Sequence, residues 1–185
     1  MIRLPYDLVV VDLETNGQDG PEARIVEFGA AVFRADGSIG DRITQVFDGR
    51  PMGNRPSLFT DQDLVGKPLF GEFAPKFPRW CWDRSRNFVL ASWNPLGDIP
   101  LLEREFDRAA AKFPFPKKAF CVRSMAFEHL WKSNRYVASS GIDKTLRMMG
   151  LEYDGTLHRA GDDAYNVTRI LQGIFGFTDQ VKETA

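Results

Sequence analysis

The sequence predicts an α/β domain, a mixed sheet with helices packed on it. Three observations carry this prediction. Two short apolar runs rich in β-branched residues stand close together near the start, LVVVDL at residues 8–13 and IVEFGAAVF at residues 25–33. Further along, apolar residues change to helical spacing and alternate with other short apolar runs. With 43% hydrophobic residues, 15 Phe and 4 Trp among 185 residues, the chain fills one sizeable core and is short for two. One domain over 1–185 is therefore expected, with its core at about 6–176.

Residues 8–13 are few and Val-rich, which favours a buried strand. Asn16, Gly17, Gly20 and Pro21 then turn the chain, so residues 25–33 return as an antiparallel partner. Asp36 and Gly37 mark a tight turn into a third strand around residues 43–47. Residues 49–68 carry Gly and Pro without a period and are expected to be loop. Phe70, Phe73, Phe77 and Trp80 recur at helical spacing, and FVLA at residues 88–91 makes a fourth strand. From Asp98 a helix runs through Leu102, Phe106 and Ala109, opening near Pro100, a residue tolerated in a first turn. Residues 120–122 form a short fifth strand, Ser124 caps a helix reaching Trp131, and Gly141 and Gly150 enclose another helix. The last helix begins near Gly161 and runs through Ala164, Val167, Ile170, Leu171 and Ile174.

The 24 basic and 25 acidic residues leave a formal net charge of −1, which argues against a protein that coats long duplex DNA by neutralising phosphates. An enzyme that grips a few nucleotides fits, because cations held by carboxylates add positive charge that residue counts miss. Cys81 and Cys121 are too few for a disulfide framework. With no charged-then-apolar leader and no apolar stretch long enough to span a bilayer, the expectation is a reduced, soluble protein of the cytoplasm with no membrane partner.

Three elements carry chemistry. In DLET, strand alternation puts Asp12 and Glu14 on one face and Leu13 on the other. Two neighbouring acids repel unless a divalent cation lies between them, and hard oxygen ligands suit Mg²⁺ or Mn²⁺. The plain alternative is a strand end with a solvated Glu14, at about even odds for this pair alone. In WNPLGD, residues 93–98, Asp98 near a helix start reads by itself as a cap. In HRAGDDAYNVTRIL, residues 158–171, His158 precedes a helix whose first turn holds Asp162 and Asp163, so an imidazole and a carboxylate converge. His129, in MAFEHLW, reads as a packed or partly exposed helix residue with no chemical role.

Taken together, these elements resemble the DEDDh exonucleases, the superfamily that includes RNase T and the proofreading subunit of DNA polymerase III. Asp12-Leu13-Glu14-Thr15 matches the first motif, and IVEFGA, residues 25–30, matches its companion strand. Asn94 and Asp98 fit the second motif, although Gly97 stands where an aromatic is usual and Trp93 replaces a common histidine. His158, Ala160 and Asp163 match the third, H-x-A-x-x-D, without gaps. The match spans residues 7–175 in the expected order. Residues 141–171 look most like the ERI-like exoribonucleases, which commonly carry a double acid after the histidine and an Asn three positions on, as Asp162, Asp163 and Asn166 do.

The resemblance implies an RNase H-like fold, a five-stranded mixed sheet flanked by helices. It implies a metal-dependent 3'→5' exonuclease that releases nucleoside 5'-monophosphates from single-stranded nucleic acid with a free 3' hydroxyl, RNA favoured. Asp12, Glu14, Asp98 and Asp163 would hold two divalent cations, about 3.5–4 Å apart. His158 would take the proton of the attacking water, a role that suits imidazole. Leu13, Thr15, Phe28, Asn94 and Arg159 are the candidate substrate contacts, and Lys144 and Arg147 are further candidates for phosphates. For these basic residues an ordinary solvated charge is favoured about two to one, and Asp162 is expected to be a solvated helix residue. The rivals are a DNA-directed proofreading or repair exonuclease, a binding module that has lost catalysis, and an endonuclease of the RNase H type. Four intact acids and a histidine argue against the second, and the spacing of His158 to Asp163 argues against the third.

Overall fold

The computed structural model describes residues 4–55, 57–135 and 141–176, so the outermost parts of the domain expected over 1–185 lie outside the described residues. Strands β1 (Asp7–Thr15), β2 (Ile25–Phe33) and β3 (Ile39–Val46) form an antiparallel meander. Strands β4 (Phe88–Ser92) and β5 (Phe120–Cys121) continue it in parallel beyond β1, giving the order β3-β2-β1-β4-β5. This is the five-stranded mixed sheet flanked by helices that the motifs implied. β1 has a strand on each edge and helices on both faces, which is why its Val9, Val10 and Val11 run continuously instead of alternating with polar residues.

Helices α1 (Asp61–Leu64), α2 (Phe70–Phe73), α3 (Lys76–Arg84) and α4 (Pro95–Arg108) lie between β3 and β5, and α5 (Val122–Lys132), α6 (Ile142–Met148) and α7 (Ala160–Phe175) follow. One sheet face presents Val9, Val11, Phe28 and Val32 to an aromatic core built from α2, α3 and α4, with Phe73, Phe77 and Phe106 at its centre. Ring centroids there are 4.6 Å apart for Phe28 and Phe77 and 5.0 Å for Phe28 and Phe73. The opposite face presents Leu8, Val10, Ala31 and Phe33 to α5, α6 and α7. On α7, Val167, Ile170 and Leu171 are fully buried, and each contributes about 1.5–3 kcal/mol.

Several boundaries differ from the sequence expectation. β3 begins at Ile39, directly after the Asp36–Gly37 turn, where Ser38 N donates to Asp36 at 2.9 Å. The expected loop at 49–68 contains α1, closed by a capping box between Thr60 and Asp63. The single helical run from Phe70 to Trp80 is two helices, because Pro75 cannot donate into the ladder. α4 starts at Pro95, the favoured first position, so Pro100 lies inside the helix and Asp98 is in its first turn instead of capping it. Ser124 lies within α5, where its hydroxyl donates to Cys121 Sγ at 3.1 Å. No helix among the described residues is long and apolar enough to cross a membrane.

Candidate active site

β1 delivers the first two acids. Alternation puts Asp12 and Glu14 on the face that carries Leu8 and Val10, the face α7 covers. Leu13 points to the aromatic face and packs there while still lining the cleft beside the acids. Beyond Thr15 the buried Asn16 side chain holds the turn, accepting from Arg24 N at 3.0 Å and donating to the Gly49 and Pro51 carbonyls at 3.2 and 3.1 Å.

α7 delivers the third acid and carries the histidine at its threshold. Gly29 stands opposite Asp12 in the β1–β2 register, and a Cβ there would lie 2.1 Å from the Ala160 carbonyl. A bare backbone on β2 thus lets the helix start against the sheet. Glu27, opposite Glu14 and fully buried, receives that start: it accepts from Ala160 N at 2.9 Å and from Arg159 Nε and Nη2 at 2.9 and 2.7 Å. One ligating atom from each of Glu14, His158 and Asp163 then lies within 4.8 Å of the others. Asp12, Leu13, Glu14, Trp93, His158 and Asp163 are among the residues lining one cleft of about 370 Å³.

Asp98 comes from the first turn of α4, where its amide donates to Asn94 O at 3.1 Å. Its carboxylate is turned toward Ser92, whose hydroxyl donates to it while accepting from Asn94 N at 2.9 Å. Asp98 is therefore outside the Glu14, His158 and Asp163 group, yet close enough to Asp12 for their charges to repel.

Burial is the main cause that pushes the Asp12 carboxyl well above its ordinary range, with Asp98, Asp163 and Glu14 adding repulsion. Burial and the charges of Asp163 and Glu27 push Glu14 up to about 8. Burial raises Asp98 to about 6 against the opposing pull of the Ser92 hydroxyl. Asp163 is raised by burial too, relieved in part by a hydrogen bond from Tyr153. All four acids therefore resist carrying charge together, although Arg159 beside Glu14 and Arg123 beside Asp98 pull the other way. A partly enclosed oxygen-rich set of this kind fits divalent cations, which reverse the cost of ionising each carboxylate.

The expected substrate contacts fare unevenly. Phe28 is a correction: it faces away from the acids, opposite Leu13, and is sealed in the aromatic core with no exposed surface for a base. The Arg159 guanidinium pairs with Glu27 and lies over the Phe59 ring at 5.5 Å, its side chain remaining half-exposed. Asn94 is exposed and accepts from Arg123 Nη2 at 3.3 Å, and the Thr15 hydroxyl accepts from Gly17 N at 3.4 Å. Lys144 is exposed on α6, and Arg147 pairs with Asp143 at 3.5 Å. Asp162 is not simply solvated, since it accepts from Thr156 N at 2.9 Å. Sequence reasoning missed Glu27, Ser92 and Tyr153; the pairing of Glu27 with Glu14 followed from strand register, whereas the other two are met only in three dimensions.

Residues 9–171 match the family model described as Exonuclease, RNase T. The chain is 30% identical over 159 residues to DNA polymerase III subunit epsilon of Treponema pallidum (strain Nichols), a match covering 83% of this chain and 69% of that one. Among solved structures, the nuclease domain of 3'hExo, a DEDDh family member bound to rAMP, superposes with a TM-score of 0.74 at 20% identity over 94% of each chain. Cell-death related nuclease 4 superposes with a TM-score of 0.77 at 16% identity, over 95% of this chain and 66% of that one. An E. coli ExoI–ssDNA complex in its zinc-bound form gives 0.71 at 13% identity, over 95% and 41%.

Proposed function

The chain belongs to the RNase T exonuclease family, and from that premise we propose that it is a DEDDh-type 3'→5' exonuclease that removes nucleoside 5'-monophosphates from single-stranded nucleic acid with a free 3' hydroxyl, RNA in preference to DNA. The observation that carries the reading is the convergence of Glu14, His158 and Asp163 within 4.8 Å, beside Asp12 and Asp98. Asp12, Glu14, Asp98 and Asp163 are the residues that would hold two divalent cations, Mg²⁺ or Mn²⁺. Bound there, the cations supply an activated water and charge stabilisation for the leaving 3' oxygen.

The chain's own groups do the rest. His158, exposed at the cleft edge beside the carboxylates of Glu14 and Asp163, takes the proton from the attacking water. Burial of the acids keeps the site's dielectric low, so each charge interaction is stronger than in water. Leu13 and Trp93 offer an apolar wall for the terminal base. RNA is supported by the likeness of residues 141–171 to ERI-like exoribonucleases and by the fold match to 3'hExo bound to rAMP. The 30% identity to a DNA polymerase III subunit favours the DNA-directed reading instead. We keep 1–185 as one exonuclease unit acting in the cytoplasm, a reading that the two free cysteines support.

The experiment is degradation of matched 5'-labelled single-stranded RNA and DNA with Mg²⁺ or Mn²⁺, with EDTA and 3'-blocked controls. The expected result is a ladder shortening from the free 3' end, faster on RNA and lost with EDTA. Faster loss of DNA would transfer the assignment to the DNA-directed reading, and cleavage of the blocked strand would remove the requirement for a 3' hydroxyl.

A further inference from the structure

We propose that Tyr153, Asp162 and Asn166 are positioning residues that strap the loop between α6 and α7 so that His158 and Asp163 meet Glu14 in one arrangement; the proposal rests on the exonuclease reading of that site. His158 has a φ of 61°, left-handed backbone that a side chain rarely adopts without support. The support comes from α7 itself. The Asp162 carboxylate accepts from Thr156 N at 2.9 Å. One turn on, the fully buried Asn166 clamps Asp154 from both sides, accepting from its amide at 3.1 Å and donating to its carbonyl at 2.7 Å. The Asn166 amide also donates to Asp162 O at 2.8 Å, and the Tyr153 hydroxyl donates to Asp163 Oδ1 at 2.8 Å.

His158 is thus bracketed. On one side Thr156 is tied to Asp162, and on the other Arg159 and Ala160 are tied to Glu27. Gly155 immediately precedes Thr156, at a φ of 101°, and a Cβ there would stand 2.5 Å from Asp162 Cγ, so the loop has closed tightly onto the carboxylate. Tyr153 sets the rotation of the Asp163 carboxylate, which lines the cleft, by holding one of its oxygens, and the His158 backbone bonds the same carboxylate. Asp162 and Asn166 touch no reacting atom; they act through backbone. In the sequence they look like a spare acid and a polar helix residue one turn apart.

The test compares Asp162→Ala with Asp162→Asn in the full chain, reading kcat, KM and amide hydrogen exchange at Thr156 in metal-free protein. Loss of the acceptor in Asp162→Ala is expected to lower kcat by about 10–100-fold, leave KM near its original value, and speed exchange at Thr156. Asp162→Asn keeps a carbonyl oxygen in the same position and is expected to restore both. Tyr153→Phe, which removes the hydroxyl that lies 2.8 Å from Asp163 Oδ1 and 3.2 Å from Thr156 O, is expected to lower kcat. Wild-type kcat in Asp162→Ala, or an Asp162→Asn variant as slow as Asp162→Ala, overturns the strap; the second outcome would assign the effect to charge. If the wild-type chain degrades neither strand, the exonuclease reading fails and exchange alone decides: unchanged protection in Asp162→Ala overturns the strap, and lost protection regained in Asp162→Asn upholds it.

Discussion

A carboxylate that is buried beside other carboxylates is held for something other than stability. Asp12 is the clearest instance, raised first by burial and then by four neighbouring acids. Replacing it with Asn keeps the shape and removes the charge, so two opposite changes are expected. Activity should fall to background, while the metal-free melting temperature should rise, by roughly 2–4 °C for each kcal/mol of relieved repulsion. A lower melting temperature in Asp12→Asn would mean that the charge contributes to the metal-free fold after all. His158 behaves differently because it is exposed and packs little. His158→Ala is expected to slow degradation by about 10²–10⁴-fold with an unchanged melting temperature; turnover at the wild-type rate would remove it as the base.

At the scale of elements, the site depends on how closely α7 docks on the sheet. Two glycines make that approach, and they differ in what stands against them. A Cβ at Gly29 would meet backbone, Ala160 C and O at 2.1 Å, whereas a Cβ at Gly161 would meet the Thr44 hydroxyl at 1.8 Å. Backbone cannot move aside without carrying the helix with it. Gly29→Ala is therefore expected to destabilise by more than the usual 1–3 kcal/mol of about one inserted methyl and to abolish activity by separating Asp163 from Glu14. Gly161→Ala should also destabilise, but Thr44→Ala should recover much of the loss by removing the obstructing hydroxyl. A double-mutant cycle in denaturant checks this, and independent, additive effects would contradict the contact. The same close docking explains why Glu27 is tolerated fully buried: its charge is met by Arg159 and by the first amide of α7.

For the whole molecule the acids link folding, pH and cations. Glu14 rises from 4.5 to about 8 and Asp98 from 3.8 to about 6 on folding, so between those values the folded chain binds more protons than the unfolded one. Stability of the metal-free protein must then fall as pH rises through that window, and below about pH 4 these groups impose no penalty. Thermal melts in EDTA at pH 5 and pH 8 should show the lower midpoint at pH 8. Saturating Mg²⁺ or Mn²⁺ should raise the midpoint, more at pH 8 than at pH 5, because cations bind the ionised form. A metal-free midpoint that climbs from pH 5 to pH 8 would falsify this account of the cleft.

The strands, their order along the chain and the pairing of Asp12 with Glu14 on one face follow from the sequence by itself, because two-residue alternation and turn residues are local properties. The same is true of His158 and Asp163 bracketing a helix start. Boundaries escaped where a local feature competed with periodicity, as at Pro75 and Pro95. The fate of the substrate contacts was decided only by tertiary structure. Phe28 looked available and is sealed beneath Phe73 and Phe77, while Arg159 looked like a free cation and pairs with Glu27, 132 residues away. Asp162 looked solvated and holds Thr156. Which face a side chain takes is written in its neighbours along the chain, but what meets it there depends on elements that arrive from far away, and no local pattern encodes that meeting.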